Sequence, residues 1–396
     1  RRLEREAQRN VEVMWLTGRL MPDFKTIADF RKDNGKAIRR VCRQFVVLCQ
    51  QLGLFSDALV AIDGSKFMAV NNRDRNFTSA KLKRRMEEIE ASINRYLTDL
   101  DTADRQEPVI AKAKTERLQD KIAALKRQMQ ELREVEVQLN ETPDKQISLT
   151  DPDARSMKTR GTGIVGYNVQ TAVEAKHHLI VAHEVTNVGI DREHLSSMAK
   201  QARTAMAAGE FTAIADRGYF KGEQILACHE AGITVIVPKT TTSGAKFDGR
   251  FDRADFIYDA QKNEYRCPAG DHLIWRYATI EDGLKVHRYW SSNCKGCAIK
   301  EKCTPSKQRR VTRWEREDVL ESMQTRLDLA PDSMRIRRQT VEHPFGTIKL
   351  WMGGAHFLTT TLKKVSTEMS LHVLAYNLKR VIKILGTGVL MEAIRA

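Results

Sequence analysis

At 396 residues the chain is long enough to bury a sizeable core and to hold more than one domain, or one domain with large insertions. A formal charge of +15 and a sequence pI near 9.5 favour a polyanionic partner, nucleic acid before any other. No run of eighteen apolar residues and no signal-peptide core occur, which argues against membrane attachment and for a cytoplasmic protein.

The chain opens without Met inside an amphipathic pattern, so an upstream portion is expected. Residues 1 to 54 read as helices: one to about Leu20, a break at Pro22, then Phe24 to Lys32 and Lys36 to Leu52. In the last, Ile38, Val41, Phe45, Leu48 and Leu52 share a side, with Arg39, Arg40 and Arg43 around it. Two short helices joined at Asp33-Asn-Gly35 fit a DNA-reading helix-turn-helix, or a helical domain with a solvated cationic face; the second is the commoner arrangement.

Ala58 to Ile62 is a short apolar run ending in Asp63-Gly64, a buried strand whose terminal Asp emerges at the sheet edge, where open α/β sheets place ligand groups. From Ser79 to Asn140 the composition turns to Glu, Lys, Arg, Gln and Leu with near-heptad spacing, Pro108 lying in the gap. This predicts an inserted antiparallel helical hairpin, a structural arm or a dimer contact. Ile164–Val173 and His178–Val185 read as a hairpin, and Asp191 as the cap of a helix from Arg192 to Ala208. Phe211 to Ala215 then repeats the first device, an apolar strand delivering Asp216 just before a turn. A helix from Gly222 to Ala231 and a strand from Ile233 to Val237 continue the alternating α/β pattern, which stops at Pro238.

Residues 240 to 330 form a second insertion, opened by a mobile-looking Thr240–Ala245 stretch. Of the seven cysteines, Cys42, Cys49 and Cys228 suit small core residues, and Cys267, Cys294, Cys297 and Cys303 cluster here. One close C-x2-C pair with two further thiols can supply four ligands to Zn²⁺, against the alternative of unmetallated thiols. Arg309, Arg310 and Arg313, beside Trp314, offer cations and an aromatic to a DNA backbone, and a solvated face is the plainer reading. A helix from Thr361 to Leu385 ends the fold, with Leu362, Val365, Leu371, Leu374, Leu378 and Val381 on its buried side.

Between the two lies Arg338-Gln-Thr-Val-Glu342-His-Pro-Phe345-Gly-Thr-Ile-Lys349. On a helix Arg335, Arg338, Glu342, Phe345 and Lys349 share a face, one carboxylate among cations. The plain reading is an Arg-to-Glu ion pair on an exposed helix. The functional one takes Glu342 together with Asp63 and Asp216: adjacent strand ends bring the aspartates together and the helix lowers Glu342 onto them. Carboxylates that close need cations between them. Mg²⁺ accepts hard oxygen ligands, and two such ions serve an in-line phosphodiester displacement.

On these motifs, Ala61-Ile-Asp63-Gly64, Ala215-Asp216-Arg-Gly218-Tyr219 and Arg338-x3-Glu342-x6-Lys349, the chain resembles bacterial insertion-sequence transposases of the DDE superfamily. The resemblance implies an α/β fold: an RNase H-like mixed sheet flanked by helices, with an inserted helical hairpin and a small cysteine-rich subdomain. The catalytic domain would take 55–78, 141–239 and 331–396, leaving 1–54 as a helical N-terminal region, 79–140 as the hairpin and 240–330 as the possible zinc-binding insertion. It also implies Mg²⁺ or Mn²⁺ on Asp63, Asp216 and Glu342. Arg338 and Lys349 would contact DNA phosphates or orient the third acid. The implied partners are double-stranded element ends and target DNA, bound by a self-associating, nucleoid-associated protein of the bacterial cytoplasm. Relatives often carry Tyr where this chain has Arg335, and Pro344 can kink the helix or start it. A nuclease that cuts without joining, and an inactive DNA-binding remnant, are the competing readings.

Overall fold

The computed structural model describes residues 1–55, 58–72, 75–103, 108–159, 161, 163–240, 244–245 and 247–395. Residues 241–243, the centre of the stretch expected to be mobile, lie outside them.

Four helices open the chain: α1 (Arg2–Arg9), α2 (Val11–Leu16), α3 (Phe24–Asp33) and α4 (Gly35–Gln51). The single helix expected to Leu20 is two, because the Asn10 side chain accepts from the N–H groups of Glu12 and Val13 and starts α2 afresh. Strands β1 (Leu59–Met68) and β2 (Asn76–Thr78) lead into the long helices α5 (Ser79–Ala103) and α6 (Pro108–Glu141). These two pack on each other through Leu82, Ile89, Leu132 and Leu139. The chain continues through β3 (Gln146–Ser148), β4 (Arg155–Met157), β5 (Ile164–Glu174), β6 (Ile180–Thr186), α7 (Leu195–Met206), β7 (Thr212–Ala215), α8 (Gly222–Glu230) and β8 (Thr234–Ile236). A second sheet follows, with β9 (Ile257–Asp259), β10 (Glu264–Arg266), β11 (His272–Glu281), β12 (Leu284–Trp290) and β13 (Val311–Trp314) in sequential antiparallel order. Helices α9 (Glu317–Leu329), α10 (Ser333–Gly346) and α11 (Leu362–Arg395) close the chain.

The main sheet is mixed and runs β4-β5-β1-β7-β8, with β6 also pairing β5. β5 is antiparallel to β1 and β6, whereas β7 is parallel to β1 and β8 parallel to β7. Both faces are covered. Val60 and Ile62 of β1 join a core built with α7, α8 and α9, while Ala61 and Phe67 join another built with α10 and α11. Burial on both sides is why the start of β1 reads as a continuous apolar run.

Asp63 does not end its strand. The parallel pairing stops at Ile62 with Ala215, but β5 stays in register with β1 as far as Met68. Asp63 therefore lies inside β1 at the point where its other neighbour ends.

Helix α11 is anchored by the loop before β4. The Asp151 and Asp153 carboxylates accept from the N–H groups of Thr361 and Leu362 at 2.9 and 2.8 Å, satisfying donors at the helix start. Its buried side differs from the expected one. Leu371 and Leu378 are exposed, and Met369, Val373 and Tyr376 face the core. The helix also buries Glu368, Ser370 and Asn377: Glu368 accepts from the N–H groups of Leu358 and Thr359, and Asn377 pairs with both backbone groups of Ile180 on β6. A hydrophobic count alone misplaces such a face, because these polar groups are buried for their bonds.

The β1–β5 pairing has no room at Gly166. A Cβ built there would lie 1.9 Å from the Phe67 carbonyl oxygen, a backbone atom that cannot swing away. Gly166→Ala is expected to destabilise the chain by about 1–3 kcal/mol, as overpacking does, and Gly209→Ala, where a Cβ meets nothing, to be near neutral. Denaturant midpoints of the two variants check this.

Candidate active site

Asp216 follows directly on β7, and its Oδ1 accepts from Gly218 N–H at 2.8 Å, which fixes the turn Arg217–Tyr219. Ile62 and Ala215 are register partners, so Asp63 and Asp216 leave the paired region side by side. The Asp63 Oδ1 accepts from Gly64 N–H at 2.9 Å. A guanidinium stands between the two acids: Arg337 Nη2 is 2.5 Å from Asp63 Oδ1 and 3.5 Å from Asp216 Oδ2. Burial pushes the Asp63 carboxyl up to about 6; Arg337 opposes that rise and the Asp216 charge adds to it.

Sequence reasoning missed Arg337, although a signal for it exists. The inward face of α10 holds Ser333, Val341, Phe345 and, just beyond the helix, Ile348. Stepping back four residues from Val341 reaches Arg337. The neighbouring Arg338 and Arg335 are exposed, and Arg335 pairs with Asp332. Helix α10 runs through Pro344 without breaking and loosens only after Gly346, into a wide turn at Thr347–Trp351.

Glu342 lies on the same helix and is exposed. Among the described residues it makes no ion pair, so the Arg338–Glu342 bridge of the plain reading is not formed, and no three His, Cys, Asp or Glu side chains converge as a metal-ligating group. The expected convergence of three acids is thus seen for Asp63 and Asp216 only. Lys349 turns inward instead of toward solvent. Its ammonium donates to Ser65 Oγ at 2.7 Å and to the Lys66 carbonyl at 2.8 Å, and sits 4.4 Å from the centre of the Phe67 ring. Burial lowers its pKa. Expected as a phosphate contact, it secures β1 just beyond Asp63.

The opposite face of β1 carries a polar cluster that sequence reasoning did not connect. The Asp191 carboxylate accepts from Asn168 and Gln170 amides, both at 2.7 Å, and from Lys66 at 3.3 Å, while the Tyr219 hydroxyl donates to Gln170 Oε1. Asp191 does not cap the following helix, which begins only at Leu195. The cluster closes over Gly64, where a Cβ would lie 2.5 Å from Asp191 Oδ1 and 2.4 Å from Gln170 Nε2. The signal was the pair of polar residues, Asn168 and Gln170, alternating in an otherwise apolar strand.

Cys267, Cys294, Cys297 and Cys303 all line one cavity of about 690 Å³, walled also by Phe256 and Arg309. The four are free thiols, and burial raises the Cys303 pKa, with the other three thiols adding to the rise. Arg313 is not available to DNA: it is buried, bonded to Glu321 and stacked 3.8 Å from the Tyr258 ring centre. Arg309 lies over the Phe256 ring, and of the three arginines expected to contact DNA in this insertion Arg310 alone is exposed, beside Trp290. A second basic surface lies on α4, where Lys36, Arg39, Arg40 and Arg43 line a shallow pocket. No helix among the described residues is long and apolar enough to cross a membrane.

Residues 266–382 match the family model of a transposase DDE domain. This span is thus similar to transposases of the DDE superfamily. The matched span contains Glu342, Arg337 and the four clustered cysteines, and Asp63 and Asp216 precede it. Searches of curated proteins and of solved structures found no match. Transposases of this superfamily generally use divalent metals and have a DNA partner. The aspartate pair of this chain fits such an ion, since two hard carboxylate oxygens flank a single positive centre.

The raised Asp63 value has a consequence for stability. An unfolded Asp titrates near ~3.9, so the folded chain holds this proton more tightly, and the associated stability is complete below about pH 4 and is lost as pH rises through about 6. Asp63→Asn removes that loss. In the absence of divalent cations the stability of the variant relative to wild type should grow by about 2 kcal/mol between about pH 4 and pH 7, read from denaturant unfolding across that range.

Proposed function

We propose that this chain is a transposase that cleaves phosphodiester bonds at the ends of an insertion sequence and joins the freed 3′-hydroxyl to target DNA. Asp63, Asp216 and Glu342 are its catalytic carboxylates. The observation that carries the reading is the pairing of Asp63 with Asp216 across β1 and β7, beneath the helix that bears Glu342, in a chain matched to a transposase DDE domain. A sheet with three antiparallel strands followed by two strands parallel to the first supports an RNase H-like catalytic domain made of 55–78, 141–239 and 331–396. In this reading 1–54, 79–140 and 240–330 are a helical N-terminal region and two insertions.

The roles follow from position. Asp63, fixed by the Gly64 N–H, and Asp216, fixed by its turn, hold Mg²⁺ or Mn²⁺ through carboxylate oxygens. Such ions supply activation of the attacking water or 3′-hydroxyl and stabilisation of the leaving oxygen. Glu342, exposed on α10, is the third carboxylate. Arg338, Arg310 and the α4 cations grip DNA phosphates, and Lys349 keeps β1 straight beside Asp63. Self-association on the DNA brings two element ends together.

Asp216→Asn and Glu342→Gln keep side-chain shape and remove one negative charge each. Both should lower cleavage and joining in Mg²⁺ or Mn²⁺ by roughly a hundredfold or more, since loss of an outer-shell partner of a metal ligand already costs about ten- to a hundredfold, while DNA binding persists. Near-normal cleavage by Glu342→Gln would assign Glu342 to the helix surface and leave the third acid elsewhere.

We also propose a structural Zn²⁺ on Cys267, Cys294, Cys297 and Cys303: the four line one cavity, and ligation would draw the thiols together, since among the described residues no three of them converge as a ligating group. Elemental analysis of protein purified without chelator should find about one zinc per chain, lost in Cys294→Ser together with protease resistance of residues 260 to 305. Zinc-free protein with an intact insertion would rule the site out.

A further inference from the structure

The side chain of Arg337 is only 14% exposed, and it projects from the buried face of α10, in line with Val341, Phe345 and Ile348. It is therefore largely shielded from solvent and held against the two aspartates. Its Nη2 reaches both Asp63 and Asp216, while its Nε is buried and has no hydrogen-bond partner among the described residues. A guanidinium offers five donors, and a guanidinium with an orphaned buried Nε is incompletely satisfied where it stands. The two carboxylates are held close to each other, because Asp63 and Asp216 follow directly on the register partners Ile62 and Ala215. Two like charges so placed need a cation between them.

We infer that Arg337 is a positioning residue that serves as the resident counter-ion of the Asp63–Asp216 pair, and that a divalent cation and the guanidinium compete for the same oxygens. This rests on the proposed reading of the two aspartates as cation ligands. Without divalent cation, Arg337 keeps the buried Asp63 charged and aligned with Asp216. When the cation arrives, a +1 group must leave the carboxylates to a +2 ion, and the guanidinium, still tethered to α10, becomes available to a DNA phosphate. Arg338, the arginine that sequence spacing singles out, faces solvent and has no part in this exchange.

The test is Mn²⁺ binding to the full chain, followed by the paramagnetic resonance of free Mn²⁺, with thermal unfolding in EDTA as a second readout. Arg337→Gln should bind Mn²⁺ on the order of tenfold tighter than wild type, because a competing unit charge a few ångströms away is gone. It should also melt lower in EDTA, where the acids face each other unscreened, and regain stability when Mn²⁺ is added. Arg337→Lys keeps the charge and should stay close to wild type in both, which separates loss of charge from loss of packing. The Asp63→Asn/Asp216→Asn double variant should lack the site. Unchanged or weaker Mn²⁺ binding by Arg337→Gln, at a site the double variant lacks, would overturn the competition and leave the cation reading standing. If wild type and Arg337→Gln bind no Mn²⁺ beyond that of the double variant, the cation reading fails and the inference fails with it.

Discussion

One mismatch in length organises the molecule: β1 extends to Met68, and its parallel neighbour β7 stops at Ala215. As far as Ile62, β1 is flanked on both edges, and apolar side chains are the stable choice. One residue later the β7 edge opens while the β5 edge stays paired, so a side chain there is held by a strand and yet borders a gap. A polar group in that position has a rigid backbone and partial access to water. Asp63 occupies it, and Asp216 occupies the matching point where β7 turns away. Rigid strands give such a site its precision.

The alternation of β1 then distributes tasks between its faces. Asp63, Ser65 and Phe67 point toward α10, where Arg337, Lys349 and Phe345 meet them in turn. Gly64 and Lys66 point the other way, toward Asp191. The two cations that face β1, Arg337 and Lys349, are thereby committed to fixed oxygens, and the electrostatics of the acids depends on this packing. The raised Asp63 carboxyl is the visible result: desolvation outweighs the Arg337 attraction, and this is the state of a site that gains from further positive charge.

Much of this was legible in the sequence, to different depths. The apolar runs before Asp63 and Asp216 announce buried strands, and each acid stands out by ending such a run close to a glycine, Gly64 inside β1 and Gly218 in the turn after β7. Helix α10 was legible from its spacing, but its orientation was not. Helical spacing puts Arg338, Glu342 and Lys349 on one stripe, whereas packing turns Arg337 and Lys349 inward and leaves Arg338 and Glu342 outside. Charged residues on a half-buried helix have no hydropathy signal that tells a buried ion pair from a solvated one; only the partner strand decides. The same holds for Arg313, whose place in a basic run concealed a buried bond to Glu321, and for Asp191, whose capping position concealed a tertiary role. Spacing groups the four clustered cysteines, and they share a cavity, yet spacing does not determine whether the thiols approach closely enough to ligate, and among the described residues no three of them do.

The central claim is that the end of β7 beside β1 creates a divalent-cation site from Asp63 and Asp216. Anomalous scattering from crystals of the full chain soaked in Mn²⁺ tests it most directly. The account predicts a peak within ligand distance of oxygens from both aspartates, with the Arg337 guanidinium moved off them. A peak bound to neither aspartate, or aspartates still bridged by Arg337 at saturating Mn²⁺, would contradict it.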